Sequence, residues 1–127
     1  MTLITKDNAI ELIANGLTAL RHASFDPKPV VKLFLPGHSA TYLITEMDCE
    51  DRDILFGLCD PGLGFPELGS VRLSEIESIR IGVGLKFERD RHFEALYPIS
   101  VYARAAGIHR SITFDAALLE QASHAKK

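Results

Sequence analysis

Tryptophan is absent from this 127-residue sequence, and cysteine occurs only twice, as Cys49 and Cys59. Two thiols in neither a CxxC pair nor a disulfide framework fit a reducing compartment, so a cytoplasmic location is expected. Long apolar runs are missing too. No stretch approaches the roughly 18 to 20 residues that span a bilayer, and the start MTLITKDNAIELIANG has no basic segment leading into a continuous apolar one. Membrane insertion and secretion are therefore not expected. The five histidines are scattered, with no HExxH and no His-Cys grouping at zinc spacing. No Gly-x-Ser-x-Gly occurs, and Gly62, Gly64 and Gly69 lead into Pro66 and a strand instead of the Lys-Ser/Thr and helix of a phosphate loop. No cofactor is expected.

What is present is an ordinary globular balance, 46% hydrophobic and 24% charged. At this length it suits one domain over residues 1–127. The net charge of -3 argues against binding phosphate backbones by electrostatics alone. Residues 1–71 carry five Lys/Arg against ten Asp/Glu, whereas residues 72–127 carry nine against seven. Glu46, Asp48, Glu50, Asp51 and Asp53 cluster, and they read as a solvated loop between strands.

Thr5 precedes apolar residues at Ile10, Ile13, Leu17 and Leu20, the 3-4-3 spacing of an amphipathic helix over 6–22, with Gly16 weakening its middle. Asp26-Pro27 and Pro29 end that segment. Strands follow at 30–35, 40–47, 54–60 and 67–73, each rich in β-branched or aromatic residues and bounded by turn chemistry. Ser74-Glu75-Ile76-Glu77 has capping-box spacing for a short helix over 75–80. A fifth strand is predicted over 85–93, a helix over 98–106 that stops at Gly107, and a last helix capped by Asp115 with a frayed Lys126-Lys127 end. This order predicts an α+β fold: a mainly antiparallel four- to five-stranded sheet, with an N-terminal helix and C-terminal helices packed on one face.

Strand parity nominates a site. Ile54, Phe56 and Leu58 share a face with Asp60, while Val71 and Leu73 share theirs with Glu67, so both carboxyls are expected on the core side at one sheet edge. Leu85, Phe87 and Phe93 share a face with Arg89 and Arg91, which would supply opposite charge. Asp60, Phe65, Glu67, Arg89, Asp90 and Arg91 thus form a candidate binding surface. Three readings of it compete: an ion cluster that fixes register, a partner surface presented by the Gly-Pro loop, and paired carboxylates working as acid and base or holding a hard metal such as Mg²⁺. Cys59 alternates with Leu58 and reads as a packed thiol, not a nucleophile.

Val30-Val31-Lys32-Leu33-Phe34, Ala40-Thr41-Tyr42-Leu43-Ile44-Thr45-Glu46, Phe56-Gly57-Leu58-Cys59-Asp60, Gly64, Pro66-Glu67-Leu68-Gly69 and Glu88-Arg89-Asp90 with Phe93 resemble a small uncharacterised bacterial family, a domain of unknown function. The resemblance covers roughly residues 3 to 103. Tyr42 stands where the family more often has Trp, and Ser70 where an aromatic is common. The resemblance implies association with plasmids and other mobile elements, and no catalytic residues carry over. The combined expectation is a non-enzymatic accessory protein that engages a protein partner. A nucleic-acid-handling module in plasmid transfer or maintenance is the alternative, and a metal-dependent hydrolase using Asp60 and Glu67 the third.

Overall fold

The structure, a computed structural model, describes residues 2–125. Its elements run α1 (Lys6–Arg21), β1 (Val31–Phe34), β2 (Thr41–Met47), β3 (Ile54–Asp60), β4 (Glu67–Arg72), α2 (Leu73–Ser78), β5 (Glu88–Arg89), α3 (Ile99–His109) and α4 (Ala116–Ser123). The five strands form one antiparallel sheet in the order β4-β3-β2-β1-β5. The α+β class and the antiparallel sheet with terminal helices are as expected. The predicted frayed end at Lys126-Lys127 lies outside the described residues.

Alternation along the strands divides the interior in two. Val31, Leu33, Tyr42, Ile44, Met47 and Leu55 point to one side, where Leu12 of α1, Ile76 of α2 and Phe87 close over them. Leu43 and Leu58 point to the other, under Val101, Tyr102, Ala105 and Ala106 of α3 and Leu119 and Ala122 of α4. The expectation of helices on one face is corrected: the C-terminal helices share one face of the central strands and the N-terminal helix takes the other, because these strands carry large apolar residues at both parities. Continuous burial of Thr41 through Thr45 is the sequence-level trace of this double cover.

Several helix ends are closed by residues far away in the chain. Thr5 caps α1 locally, exchanging hydrogen bonds with Asn8, and Asp115 caps α4. The capping box expected at Ser74 does not form. Ser74 already lies inside α2, where its N–H and hydroxyl donate to the Asp53 carboxylate at 2.8 and 2.7 Å, and Leu73 N–H donates to the Asp53 carbonyl. The two bonds from Ser74 hold the Asp53 carboxyl below its ordinary pKa. At α3, Asp26 accepts from Ser100 N–H and from its hydroxyl, and Pro27 O accepts from Ile99 N–H at 2.8 Å. That helix also runs through Gly107 and ends at Arg110, which takes the left-handed conformation at φ 59°.

Two close approaches set the geometry around β2. The strand pairs Ile44 with Gly57 and Glu46 with Phe56, which leaves Thr45 as the extra residue of a bulge. Asn15 of α1 donates to the Thr45 carbonyl at 2.9 Å, and Thr45 Oγ1 donates to the Phe56 carbonyl at 3.2 Å. Gly16 lets the helix backbone come down on the end of β2, since a Cβ there would sit 2.8 Å from the Met47 carbonyl oxygen. The residue that weakens α1 as an isolated helix is thus the one that allows it to dock.

Candidate functional site

Register decides where the predicted site residues go. β3 and β4 pair Cys59 with Glu67 and Leu55 with Val71, and directly opposed residues in an antiparallel pair point to the same face. Glu67 therefore shares the α1 side with Cys59. Asp60, one residue on, faces the α3 side. The expectation that the two carboxyls share a face is corrected: they flank the same bend but point to opposite sides of the sheet. A paired-carboxylate arrangement of Asp60 and Glu67 is not assembled, and no group of three or more His, Cys, Asp or Glu side chains positioned to hold a metal occurs among the described residues.

Asp60 is 1% exposed. Its two oxygens accept backbone N–H groups, Oδ1 from Gly62 at 2.9 Å and Oδ2 from Ile112 at 3.0 Å. The first bond closes the turn after β3. The second fastens the segment between α3 and α4 to the sheet, so Asp60 acts as a staple between parts of the chain remote in sequence. A buried side-chain oxygen with an N–H donor is the usual way a polar group is tolerated in an interior.

The arginines lie elsewhere. β5 pairs with β1, Leu33 opposite Arg89, at the far edge from β4. Three strand spacings, about 14 Å, separate β3 from β5. Arg89 donates to the carbonyls of Thr2 and Leu3, the latter at 3.0 Å, and so anchors the start of the chain. Asp90 pairs with Lys32 at 3.5 Å, and the Lys32 ammonium also sits 4.0 Å above the Phe114 ring. Arg91 is exposed. The predicted fifth strand shrinks to two residues because a turn follows it at Arg91, which sends Phe93 to the α3 side and away from Phe87. The expected carboxylate–arginine cluster does not form.

Phe65 and Glu67 do remain together and exposed, with Phe65 at 69%. Sequence reasoning missed their neighbours Leu63 and Leu68, exposed at 74% and 47%. It also missed that β4 ends the sheet. Among the described residues no backbone group pairs with the outer side of Glu67–Arg72. Gly62 and Gly64, both at φ 88°, make the bend that holds Leu63 and Phe65 outward, a conformation other residues rarely adopt.

Cys59 packs between β2 and β4, and burial pushes its thiol up to about 11. Cys49 is exposed. A thiol reagent applied to the folded protein at about pH 8 should therefore modify Cys49 rapidly and Cys59 only after denaturant is added, as followed by mass spectrometry. Equal rates at the two thiols would show that the β3–β4 interface is open.

The fold and these residues define a small α+β protein, an antiparallel sheet between two helical layers, with a buried staple at Asp60, a sheet edge at β4 that is free among the described residues, and an apolar bend beside it. The chain belongs to a family described as proteins of unknown function (DUF2958), whose model matches residues 3–113. No curated protein and no solved structure matches it. No helix among the described residues is long and apolar enough to cross a membrane.

Proposed function

We propose that the protein is a non-enzymatic interaction module that receives an extended segment of a protein partner along β4, acting as an accessory in the plasmid and mobile-element setting its family resemblance implies. The observation that supports this is the free edge of β4. Its six residues contain no proline or lysine to blunt pairing, and Leu63, Phe65 and Leu68 beside it stand in water. An added strand gains main-chain hydrogen bonds from such an edge and side-chain anchorage from the neighbouring apolar groups. Glu67, at the start of the strand, would set orientation. The Arg89-Asp90-Arg91 segment lies at the other edge and is not part of this surface.

Use of the arginines favours a protein partner over nucleic acid. Arg72 lies 3.4 and 3.5 Å from Asp51 and Asp53, Arg89 holds the N-terminal carbonyls, and Arg104 donates to the Ala122 carbonyl. Three of the nine cationic residues in the C-terminal half are thereby engaged within the fold.

Hydrogen exchange on the protein with a co-purified partner should show new protection in the β4 amides. Phe65→Ala and Glu67→Ala should reduce capture of that partner at least tenfold, while stability stays within about 0.5 kcal/mol, as for ordinary surface substitutions. Unprotected β4 amides in the complex, or capture unchanged by both substitutions, would defeat the reading.

A further inference from the structure

Only part of the apolar stripe that makes α1 recognisable as a helix is buried. Leu12 is fully buried, and Ala9 and Ile13 contact the core, but Ile10, Leu17 and Leu20 are 62%, 44% and 81% exposed. Asn15 and Gly16 bring the helix backbone onto the end of β2, in addition to the packing of Leu12. Ile10, Leu17 and Leu20 are thus left largely exposed among the described residues.

Beside its C-terminal half lies a cleft of about 230 Å³, lined by Leu17 and Leu20 of α1, Glu46 and Met47 of β2, and Ile54 and Phe56 of β3. This is smaller than the roughly 300–1,000 Å³ typical of small-molecule pockets. It has room for one or two large side chains, while the stripe from Ile10 to Leu20 extends the apolar surface along about three helical turns. An apolar anchor that belongs to a longer segment suits this shape better than a free metabolite.

The rim is acidic. Glu46 has no ion-pair or hydrogen-bond partner among the described residues, and burial raises its carboxyl above the ordinary value. Asp48 lines the same cleft and Glu50 is exposed just beyond it. Asp51 and Asp53 are partly neutralised by Arg72, whereas Glu46 and Glu50 have no cation within ion-pair distance among the described residues. Such a field repels anionic lipid and nucleic acid and attracts cationic groups.

We propose that the α1 stripe and the adjoining Glu46–Phe56 cleft form a docking site for an amphipathic helix of another protein, one whose leucine-type side chains enter the cleft and whose lysines or arginines meet Glu46, Asp48 and Glu50. This goes beyond the β4 reading. The cleft touches β4 at Ser70, but Ile54 lies at the opposite end of β3 from the Leu63–Phe65 bend, some six residues or about 20 Å away, so substitutions at Leu17 and Leu20 and at Phe65 test the two surfaces separately.

The probe is a fluorescein-labelled 18-residue peptide of leucine and lysine patterned for a helical apolar face, measured by anisotropy against the 127-residue protein in physiological salt. Controls have the same composition scrambled, or glutamate in place of lysine. The patterned peptide should bind at least tenfold more tightly than either control. A Leu17→Ala/Leu20→Ala double variant should weaken it at least tenfold, and Glu46→Gln about threefold with a shallower salt dependence. Melting temperature should change little in the double variant, whose altered side chains are already exposed, and Phe65→Ala should leave peptide binding unchanged. Equal binding of the scrambled peptide, or unaltered affinity in the double variant, overturns the proposal. So does sedimentation showing a dimer that Leu20→Ala dissociates, since a second copy would then be the occupant.

Discussion

Gly57→Ala is expected to abolish cooperative folding or to cost more than about 4 kcal/mol, in the range reached only by a few severe mechanisms. A Cβ at Gly57 would lie 2.0 Å from the Leu43 carbonyl oxygen and 2.9 Å from Ile44 Cα. Both are backbone atoms of the central strand, so no rotamer change relieves the contact. β2 would have to move out of the ladder at its bulge, where Thr45 is held by Asn15 and by the Phe56 carbonyl. The control is Gly69, which faces Gly57 across the β3–β4 pair. A Cβ there meets nothing within 4 Å, and Gly69 is not among the positive-φ residues. Gly69→Ala should therefore be neutral or stabilise by up to about 1 kcal/mol through the unfolded chain. Urea unfolding of both variants provides the comparison. A Gly57→Ala protein that unfolds within about 1 kcal/mol of wild type would mean that β2 and β3 do not approach this closely.

The second large effect is expected at Asp60. Its removal by Asp60→Ala takes the acceptor from the Ile112 and Gly62 N–H groups and leaves a void under α3. An unsatisfied buried donor costs about 1–3 kcal/mol. With the void, a loss of about 2–4 kcal/mol is expected, a large share of the 5–15 kcal/mol typical of a domain. In a chain of this size that is a fall in melting temperature of about 10 °C. Asp60→Asn should recover only part of it, because the amide retains one acceptor oxygen and turns a donor toward the other N–H. Hydrogen exchange should show the first loss of protection in the 111–114 segment. Full stability in Asp60→Ala would return the residue to the functional candidates, since its burial would then have no structural purpose.

These two positions show where local sequence stops being informative. Both parity assignments hold within their own strands: Asp60 does lie with Leu58, and Glu67 with Val71. The inference between the strands failed because pairing Cys59 with Glu67 is a property of two strands at once, and one residue of register exchanges the faces. The arginine cluster failed for a related reason. β5 closes on β1 across more than fifty intervening residues, and no short-range pattern states which edge a late strand will take. Caps show the same division. Thr5 and Asp115 act on their own helices and were legible, while Asp53 and Asp26 act on α2 and α3 from a distance and were not.

The sequence by itself determined the α+β class, the spans of α1 and β3, the packing of Cys59 and the Gly-Pro bend between β3 and β4, because each depends on propensity, periodicity or turn chemistry within a few residues. Only the tertiary structure decided that helices cover both sides of the sheet, that Asp60 is a staple, that β4 is left as a free edge and that Ile10, Leu17 and Leu20 of α1 look outward. Those outcomes come from which distant backbones approach one another most closely, and at Gly16 and Gly57 the missing side chain, not any side chain present, sets that distance.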